Sequence, residues 1–270
     1  ANQWYTTTTA QTGNNTTLTF DIDSNMSLLN VGTTGITLGA STPLPAGNID
    51  AFGMLVVDQL NFLRYYDVWV DSGGGGTGTV AWNIDGSGNW NTGSNWASGT
   101  IPNGIDATAS FLDKITAART VYTDTPVTVG TLNFDNANTY VITGSSSLTI
   151  DVNTGSGLID VVQGTHKINL PLQLNDDTTA VVAAGATLVI ADPLLLNGKT
   201  LTKSGAGTLS IISTVSSAAP ASIAATAGVV AAPLDLGATT SVNVSGGTVL
   251  LQATQRIAAL NVSGGRVTAG

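Results

Sequence analysis

The sequence contains short segments that recur at a spacing of roughly one solenoid turn. Asn-Val-Ser-Gly-Gly occurs at Asn243–Gly247 and again at Asn261–Gly265, and a related strand-like segment, KTLTKSGAGTLSI, occupies Lys199–Ile211. Repeats this short cannot each bury a core of their own, so they must stack and share one with their neighbours. The recurrence therefore predicts a chain built by stacking similar short strands.

Apolar residues alternate with Thr, Ser and Asn in short runs, and Gly or Asn separates one run from the next. A period of two is typical of strands with one buried face. From about residue 120 these runs become regular, as in TVGTLNF (128–134), SLTIDV (147–152) and ATLVIA (186–191). The pattern predicts an all-β chain in which residues 120–270 form the repeats.

The first part of the chain has a different organisation. Leu18, Phe20 and Ile22 alternate with polar residues, which predicts a half-buried strand in an N-terminal β module spanning 1–71. Residues 51–70 fit either a strand or a helix, and their aromatic and β-branched residues favour strands. The glycine-rich stretch 72–79 is the predicted linker.

A tryptophan-rich segment, residues 80–119 (the Trp segment), follows the linker. It resembles the segment that precedes autotransporter-associated β-strand repeats in large bacterial surface proteins. The matching residues, in order, are Trp82, Gly86, Gly88, Trp90, Asn95, Trp96, Pro102, Asp106, Ala107, Ala109 and Phe111. Bulky side chains are needed to close the open end of a solenoid core. We therefore expect Trp82, Trp90, Trp96 and Phe111 to form a solenoid cap.

Two later segments carry the same resemblance. LTKSGAGTLSI at Leu201–Ile211 looks like the core signature of the autotransporter-associated β-strand repeat, and QRIAALNVSGGRVTAG at Gln255–Gly270 looks like a neighbouring turn. With the Trp segment, the resemblance covers about the last two-thirds of the chain. The fold it implies is a right-handed parallel β-helix, here preceded by a small β-sandwich-like module.

Charge and composition bear on partners and location. The chain has 8 Lys and Arg against 17 acidic residues, all of them Asp, and no Cys. The basic residues are scattered, which disfavours a nucleic-acid partner, and no apolar run is long enough to span a membrane. Thr, Ser, Asn and Gly replace the Lys and Glu of a cytosolic surface, and the start at Ala1 suits a signal-peptide cleavage site. We expect an extracellular, cell-surface location.

The sequence offers little catalytic chemistry, so we expect no enzyme activity. His166, the only histidine, is expected on the outer surface of a strand, and the Asp176-Asp177 pair in a turn. Calcium is a weak alternative to an absence of cofactors, with candidate ligands Asp21, Asp23, Asp85 and Asn89. Tryptophans could stack on sugar rings, although burial in the cap is the favoured interpretation.

The last strand ends without an obvious polar cap, and an uncovered solenoid end is a site for association. One hypothesis is a head-to-tail homopolymer, with Val267, Thr268 and Gly270 at one contact surface and Trp4 and Tyr5 at the other. The equal alternative is that following turns of a longer protein cover this end. The expected function is a structural protein of an extracellular filament, sheath or surface layer. An adhesin or carbohydrate-binding stalk that recognises cell-surface glycans is the second expectation, and a polysaccharide-active β-helix enzyme is the third.

Overall fold

A computed structural model describes residues 80–270 in full and, before them, the backbone of strands β1 (Thr19–Ile22) and β2 (Leu28–Gly32). These two strands pair antiparallel. The chain divides into two compact units, residues 1–70 and 71–270. The rest of the module predicted at 1–71, the ambiguous segment 51–70 and the linker at 72–79 lie outside the described residues.

Residues 80–270 form a β-solenoid of about eight turns. Its strands stack into three parallel sheets, which the chain visits in the order sheet 1, sheet 2, sheet 3 within each complete turn. Strands are numbered in chain order. Sheet 1 contains β3 (Val80–Ala81), β5 (Thr108–Phe111), β8 (Thr131–Asp135), β11 (Gly157–Gln163), β14 (Thr178–Val182), β17 (Thr200–Ser204), β20 (Ala221–Ala225), β22 (Thr240–Val244) and β24 (Ala259–Val262).

Sheet 2 has the same number of strands, and sheet 3 has fewer. Sheet 2 contains β4 (Gly88–Asn89), β6 (Arg119–Thr123), β9 (Tyr140–Gly144), β12 (Thr165–Asn169), β15 (Thr187–Ile190), β18 (Thr208–Ile211), β21 (Val229–Ala232), β23 (Thr248–Leu251) and β25 (Arg266–Ala269). Sheet 3 contains β7 (Val127–Val129), β10 (Leu148–Ile150), β13 (Leu172–Leu174), β16 (Leu194–Leu195) and β19 (Val215–Ser216). One short 3-10 helix, Gly93–Asn95, lies in the first turn.

The core consists of columns of inward side chains that repeat from turn to turn. In sheet 2, one column contains Ile142, Ile168, Ile190 and Ile211, which occupy equivalent positions in successive strands and are fully buried. Alternate residues of the same strands face outward, so the period-two pattern of the sequence corresponds to inside and outside positions. Burial of these aliphatic columns is the main stabilising contribution to the stack.

The recurring Asn-Val-Ser-Gly-Gly segments lie one turn apart, at the corner between sheets 1 and 2. Asn243 pairs with Asn261 and Val244 with Val262, and the Asn261 side-chain amide donates a hydrogen bond of 2.8 Å to Asn243 Oδ1. At this corner Gly265 has a φ of 74°, and a Cβ there would overlap the carbonyl oxygen of Gly247. The glycines therefore allow adjacent turns to approach closely.

The cross-section of the solenoid changes along its length. Sheet 3 begins at β7 and ends at β19, so the first turn and the last turns contain strands of sheets 1 and 2 alone. Successive turns also shorten: Val80 pairs with Ala109, 29 residues on, whereas Val244 pairs with Val262, 18 residues on. The end of the stack is thus narrower and more regular than its beginning.

The prediction of an all-β chain with a parallel β-helix is confirmed. The Trp segment supplies β3 to β6 and joins the same sheets as the later repeats. The small residues at 218–232 form β20 and β21, which continue the register of the neighbouring strands. The right-handed sense of the helix and the sandwich-like form of the N-terminal module stay predictions.

Candidate functional site at the two ends of the solenoid

The N-terminal end of the described solenoid is closed by the four aromatic residues predicted to form the cap. Trp82, Trp90, Trp96 and Phe111 are all buried. Trp96 packs edge-on against both other indoles, with ring centroids 5.3 Å from Trp82 and 5.0 Å from Trp90. Such edge-to-face contacts are favourable beyond the area that they bury. The aromatic cluster fills the core where the stack begins.

Each indole N–H in the cap has a backbone acceptor. Trp90 donates to the carbonyl oxygen of Pro102 at 3.0 Å, and Trp96 donates to that of Trp90 at 2.7 Å. Trp82 donates to Gly86 at 3.3 Å. These bonds hold the rings with their faces inside the protein. The predicted burial of the three indoles is confirmed, and their faces are not accessible to a sugar ring.

The C-terminal end differs, because core positions there are open to solvent. Leu260 and Val262 of β24 are in register with the buried Val242 and Val244 of β22, yet they are 45% and 52% exposed. They occupy inward positions with no further turn above them in the described structure. β24 and β25 are the last strands of their sheets, so each has one partner strand and one free edge. Free edges and exposed apolar side chains together form an association surface, which we call the tail surface (residues 255–270).

The residues predicted for self-association lie partly on this surface. Val267 is in register with Val249 and packs against the core, and Thr268 is in register with the outward Leu250. The Gly270 amide donates to the carbonyl oxygen of Leu251 at 2.9 Å, so the β25 register continues to that residue. Trp4 and Tyr5 lie outside the described residues. Leu260 and Val262 were not predicted, although their two-residue spacing in ALNVSGG was a usable signal.

The loop beneath the tail surface is held by charged and amide side chains. Arg256 Nε lies 3.0 Å from Asp235 Oδ2, and Asp235 Oδ1 accepts the backbone N–H of Arg256 at 2.9 Å. These bonds lower the pKa of Asp235, with the backbone N–H of Arg256 contributing most. Gln255 donates to the carbonyl oxygen of Leu234 and accepts the Leu236 N–H. The last turn is thus attached to the one before it.

The calcium candidates are placed differently from the prediction. Asp85 accepts hydrogen bonds from the Thr116 hydroxyl at 2.6 Å and from Arg119 Nη2 at 2.9 Å, which lower its pKa, with the Thr116 side chain contributing most. A guanidinium therefore occupies the position beside this carboxylate. Asn89 Oδ1 accepts the backbone N–H of Asn91 at 2.7 Å. Asp23 and the side chain of Asp21 are outside the description, and residues 80–270 contain no group of three ligating side chains suited to a metal ion.

Other aspartates connect successive turns. Asp176 Oδ2 accepts the backbone N–H of Val152 at 3.0 Å, and Asp177 Oδ1 accepts that of Thr200 at 2.8 Å. The expectation that this pair hydrogen-bonds to backbone in a turn is confirmed. Carboxylates that satisfy backbone donors explain part of the acidic composition without invoking a ligand.

His166 lies inside the solenoid, so its expected surface position is wrong. It is fully buried between the turns, with its ring stacked on Phe134 at 4.8 Å. Nδ1 accepts the backbone N–H of Tyr140 at 3.1 Å, and Nε2 lies 2.9 Å from the carbonyl oxygen of Gln163. Both ring nitrogens thus have partners when His166 is neutral with the proton on Nε2. The strand pattern HKINL already placed His166 on the face shared by Ile168.

Lys203 is a second polar residue of the interior that the sequence reasoning missed. It is in register with Ala180 and Ala225, and all three are buried. Its ammonium donates to the carbonyl oxygens of Ser204 at 2.6 Å, Gly205 at 2.8 Å and, more weakly, Ala227 at 3.4 Å. Small neighbours in the column leave room for the long side chain, and the corner carbonyls satisfy its charge.

The remaining surface offers few features for chemistry. A shallow depression is lined by residues that include Asp113, Asp135 and Gln163, and the Gln163 amide donates to Asp135 at 2.8 Å. Of the aromatic side chains in residues 80–270, Tyr122 alone is substantially exposed, at 47%. Among the described residues, none belongs to a helix with the length and hydropathy to cross a bilayer.

The fold and its two unlike ends place this chain in the class of β-solenoid proteins. No protein-family model, curated protein or solved structure matches the chain.

Proposed function

We propose that this chain is a structural protein of the bacterial cell surface, secreted and self-assembling through the ends of its solenoid. The partner in this proposal is another copy, arranged head-to-tail into an extracellular filament, sheath or layer. The carrying observation is the tail surface, where Leu260 and Val262 are exposed beside two free strand edges. A contact between unlike surfaces that does not close on itself extends into a filament.

The composition supports the proposed location. Residues of the outer faces are mainly Thr, Ser, Asn and Ala, and the chain has no Cys and few charges. The resemblance to autotransporter-associated β-strand repeats supports the same assignment. Its glycine-rich motifs occupy equivalent corners of the solenoid, since Ser204–Gly207 and Ser245–Gly247 each connect a sheet 1 strand to a sheet 2 strand.

Self-assembly is favoured over glycan binding by the placement of the aromatic residues. The three tryptophans that could stack on sugars are in the cap, with indole N–H groups already bonded to backbone. The tail surface, by contrast, leaves apolar groups in solvent that association would cover. Burying such groups is favourable in proportion to their area.

The test is self-association of the full chain with and without a charged tail surface. The double variant Leu260→Asp, Val262→Asp is compared with Val162→Asp, Ile212→Asp, whose positions are exposed to a similar degree (48% and 44%) but lie elsewhere on the solenoid. Sedimentation velocity over a wide concentration range measures the mass, and electron microscopy shows the form of the assemblies.

We expect wild type and the control variant to increase in mass with concentration, and the tail variant to stay monomeric. Circular dichroism should show the same strand content in all three, because the substitutions are on exposed side chains. A wild-type protein that stays monomeric at the highest concentration would contradict the proposal. So would a tail variant that assembles as well as wild type.

A further inference from the structure

The tail surface is positively charged. Residues 236–270 contain Arg256 and Arg266 and no acidic residue. Arg256 is paired with Asp235 of the preceding turn. Arg266 is the first residue of β25, is exposed, and follows Thr248 in an outward column of sheet 2. The free edge of sheet 2 therefore has a cationic side chain at one end.

The N-terminal residues have the opposite charge. Residues 1–79 contain six Asp and a single basic residue, Arg64. Opposite charges on two contact surfaces accelerate their encounter and determine which surfaces meet. A tail-to-tail contact would instead place the arginines of two copies close together, and like charges across an interface are unfavourable.

Strand length points to the same region. β24 and β25 have four residues each, and a strand added to such an edge must be of similar length to satisfy its backbone groups. At the start of the solenoid, β3 and β4 have two residues each. β1 and β2 have four and five residues and form a two-stranded sheet, in which each strand has one partner.

From the charges and the strand edges we infer that the tail surface binds the β1–β2 hairpin of a second copy by strand addition, with Arg266 directed toward the acidic N-terminal residues. This inference rests on the proposed self-assembly and specifies the partner segment. The strands of the hairpin extend sheets 1 and 2 by one layer and cover Leu260 and Val262. The contact is polar in direction, so each copy retains one free hairpin or one free tail surface.

The experiment reverses one charge on each side of the contact in the full chain. Arg266→Glu alters the tail, and Asp21→Lys, within β1, alters the hairpin. Lys114→Glu and Asp124→Lys are the matched controls, because they make the same charge changes at exposed sites of the solenoid. Sedimentation equilibrium at low and high salt measures the dissociation constant of each variant and of a mixture of wild type with Arg266→Glu.

At low salt we expect Arg266→Glu and Asp21→Lys each to raise the dissociation constant about threefold to tenfold, the range for one exposed charge interaction. The control variants should change it less than twofold. The differences should largely disappear near 1 M salt, where the Debye length is about 3 Å. The mixture should be intermediate between its two components.

Three results would overturn the inference while leaving self-assembly intact: Arg266→Glu equal to its control, Asp21→Lys equal to its control, or a mixture that associates more tightly than either component. The last result would indicate a tail-to-tail contact, in which arginine meets glutamate. If wild type does not associate at all, the proposed function fails and this inference fails with it.

Discussion

His166 provides a sensitive test of the solenoid interior, because it is the only histidine in the chain and is fully buried. Replacing it by Leu keeps an apolar side chain of similar size in the column but removes both of its hydrogen bonds. The backbone N–H of the buried Tyr140 then loses its acceptor. The carbonyl of Gln163, an exposed residue, can bond to water instead.

The expected cost follows from these contacts. A buried donor without a partner destabilises by about 1–3 kcal/mol, and loss of the stacking contact with Phe134 adds about 0.5–1.5 kcal/mol. We therefore expect His166→Leu to lower the free energy of unfolding by about 2–4 kcal/mol. Ile168→Val in the same strand is the control, with an expected loss of about 0.5–1.5 kcal/mol and the imidazole retained.

The dependence on pH separates the imidazole from a general packing effect. Burial lowers the pKa of His166 below its ordinary value of 6.5. Below pH 6.5 the unfolded chain therefore binds more protons than the folded chain, so stability falls as pH falls. One proton difference corresponds to at most about 1.4 kcal/mol per pH unit. Wild type and Ile168→Val should show this loss between pH 6.5 and 5.5, and His166→Leu should not.

The assay is urea unfolding followed by circular dichroism at fixed pH values from 5.5 to 7.5. Asp160 has a raised pKa, caused chiefly by burial, and acts in the opposite direction, but it is present in every variant and cancels from their differences. A wild-type stability that does not change over this range would refute the buried position of His166. An equal pH slope in His166→Leu would refute its assignment to the imidazole.

Two further predictions concern the corner between sheets 1 and 2. Gly228→Ala should destabilise by at least about 2 kcal/mol more than Gly185→Ala in urea unfolding, since both have positive φ but only at Gly228 would a Cβ overlap carbonyl oxygens and lie 2.8 Å from Lys203 Nζ; equal losses would contradict the close contact. Burial lowers the pKa of Lys203 to about 8, so the unfolded chain binds more protons above this pH and stability should rise by about 2 kcal/mol from pH 7.5 to 9.5. Lys203→Met should lack this rise, and an unchanged slope in the variant would count against it.

The sequence predicted the strands and the stacking because both depend on local patterns. Alternation identified the strands, and the recurring Asn-Val-Ser-Gly-Gly identified the spacing of turns that the pairing of Asn243 with Asn261 confirms. The buried tryptophans were predicted from their bulk and their position before the repeats. Each of these inferences needs only neighbouring residues or a simple repeat.

The errors involve contacts between turns. Asp85 has the local pattern of a cation ligand, but Arg119 lies beside it 34 residues later in the chain. His166 and Lys203 follow the alternation of their strands, but a polar residue in the core is expected only when its partners are known. Those partners are backbone groups of corners and adjacent turns, and the variable turn length, from 29 to 18 residues, conceals them in the sequence.

The same dependence between turns explains why the ends of the stack differ from its interior. A turn inside the solenoid has its strands, its aliphatic columns and many of its polar groups satisfied by the turns before and after it. The first turn replaces the missing neighbour with three buried tryptophans of its own. The last turn has no such substitute, and Leu260 and Val262 remain in solvent. Because one end is closed and the other is open, the stack has a direction, and a contact that extends it must use two different surfaces.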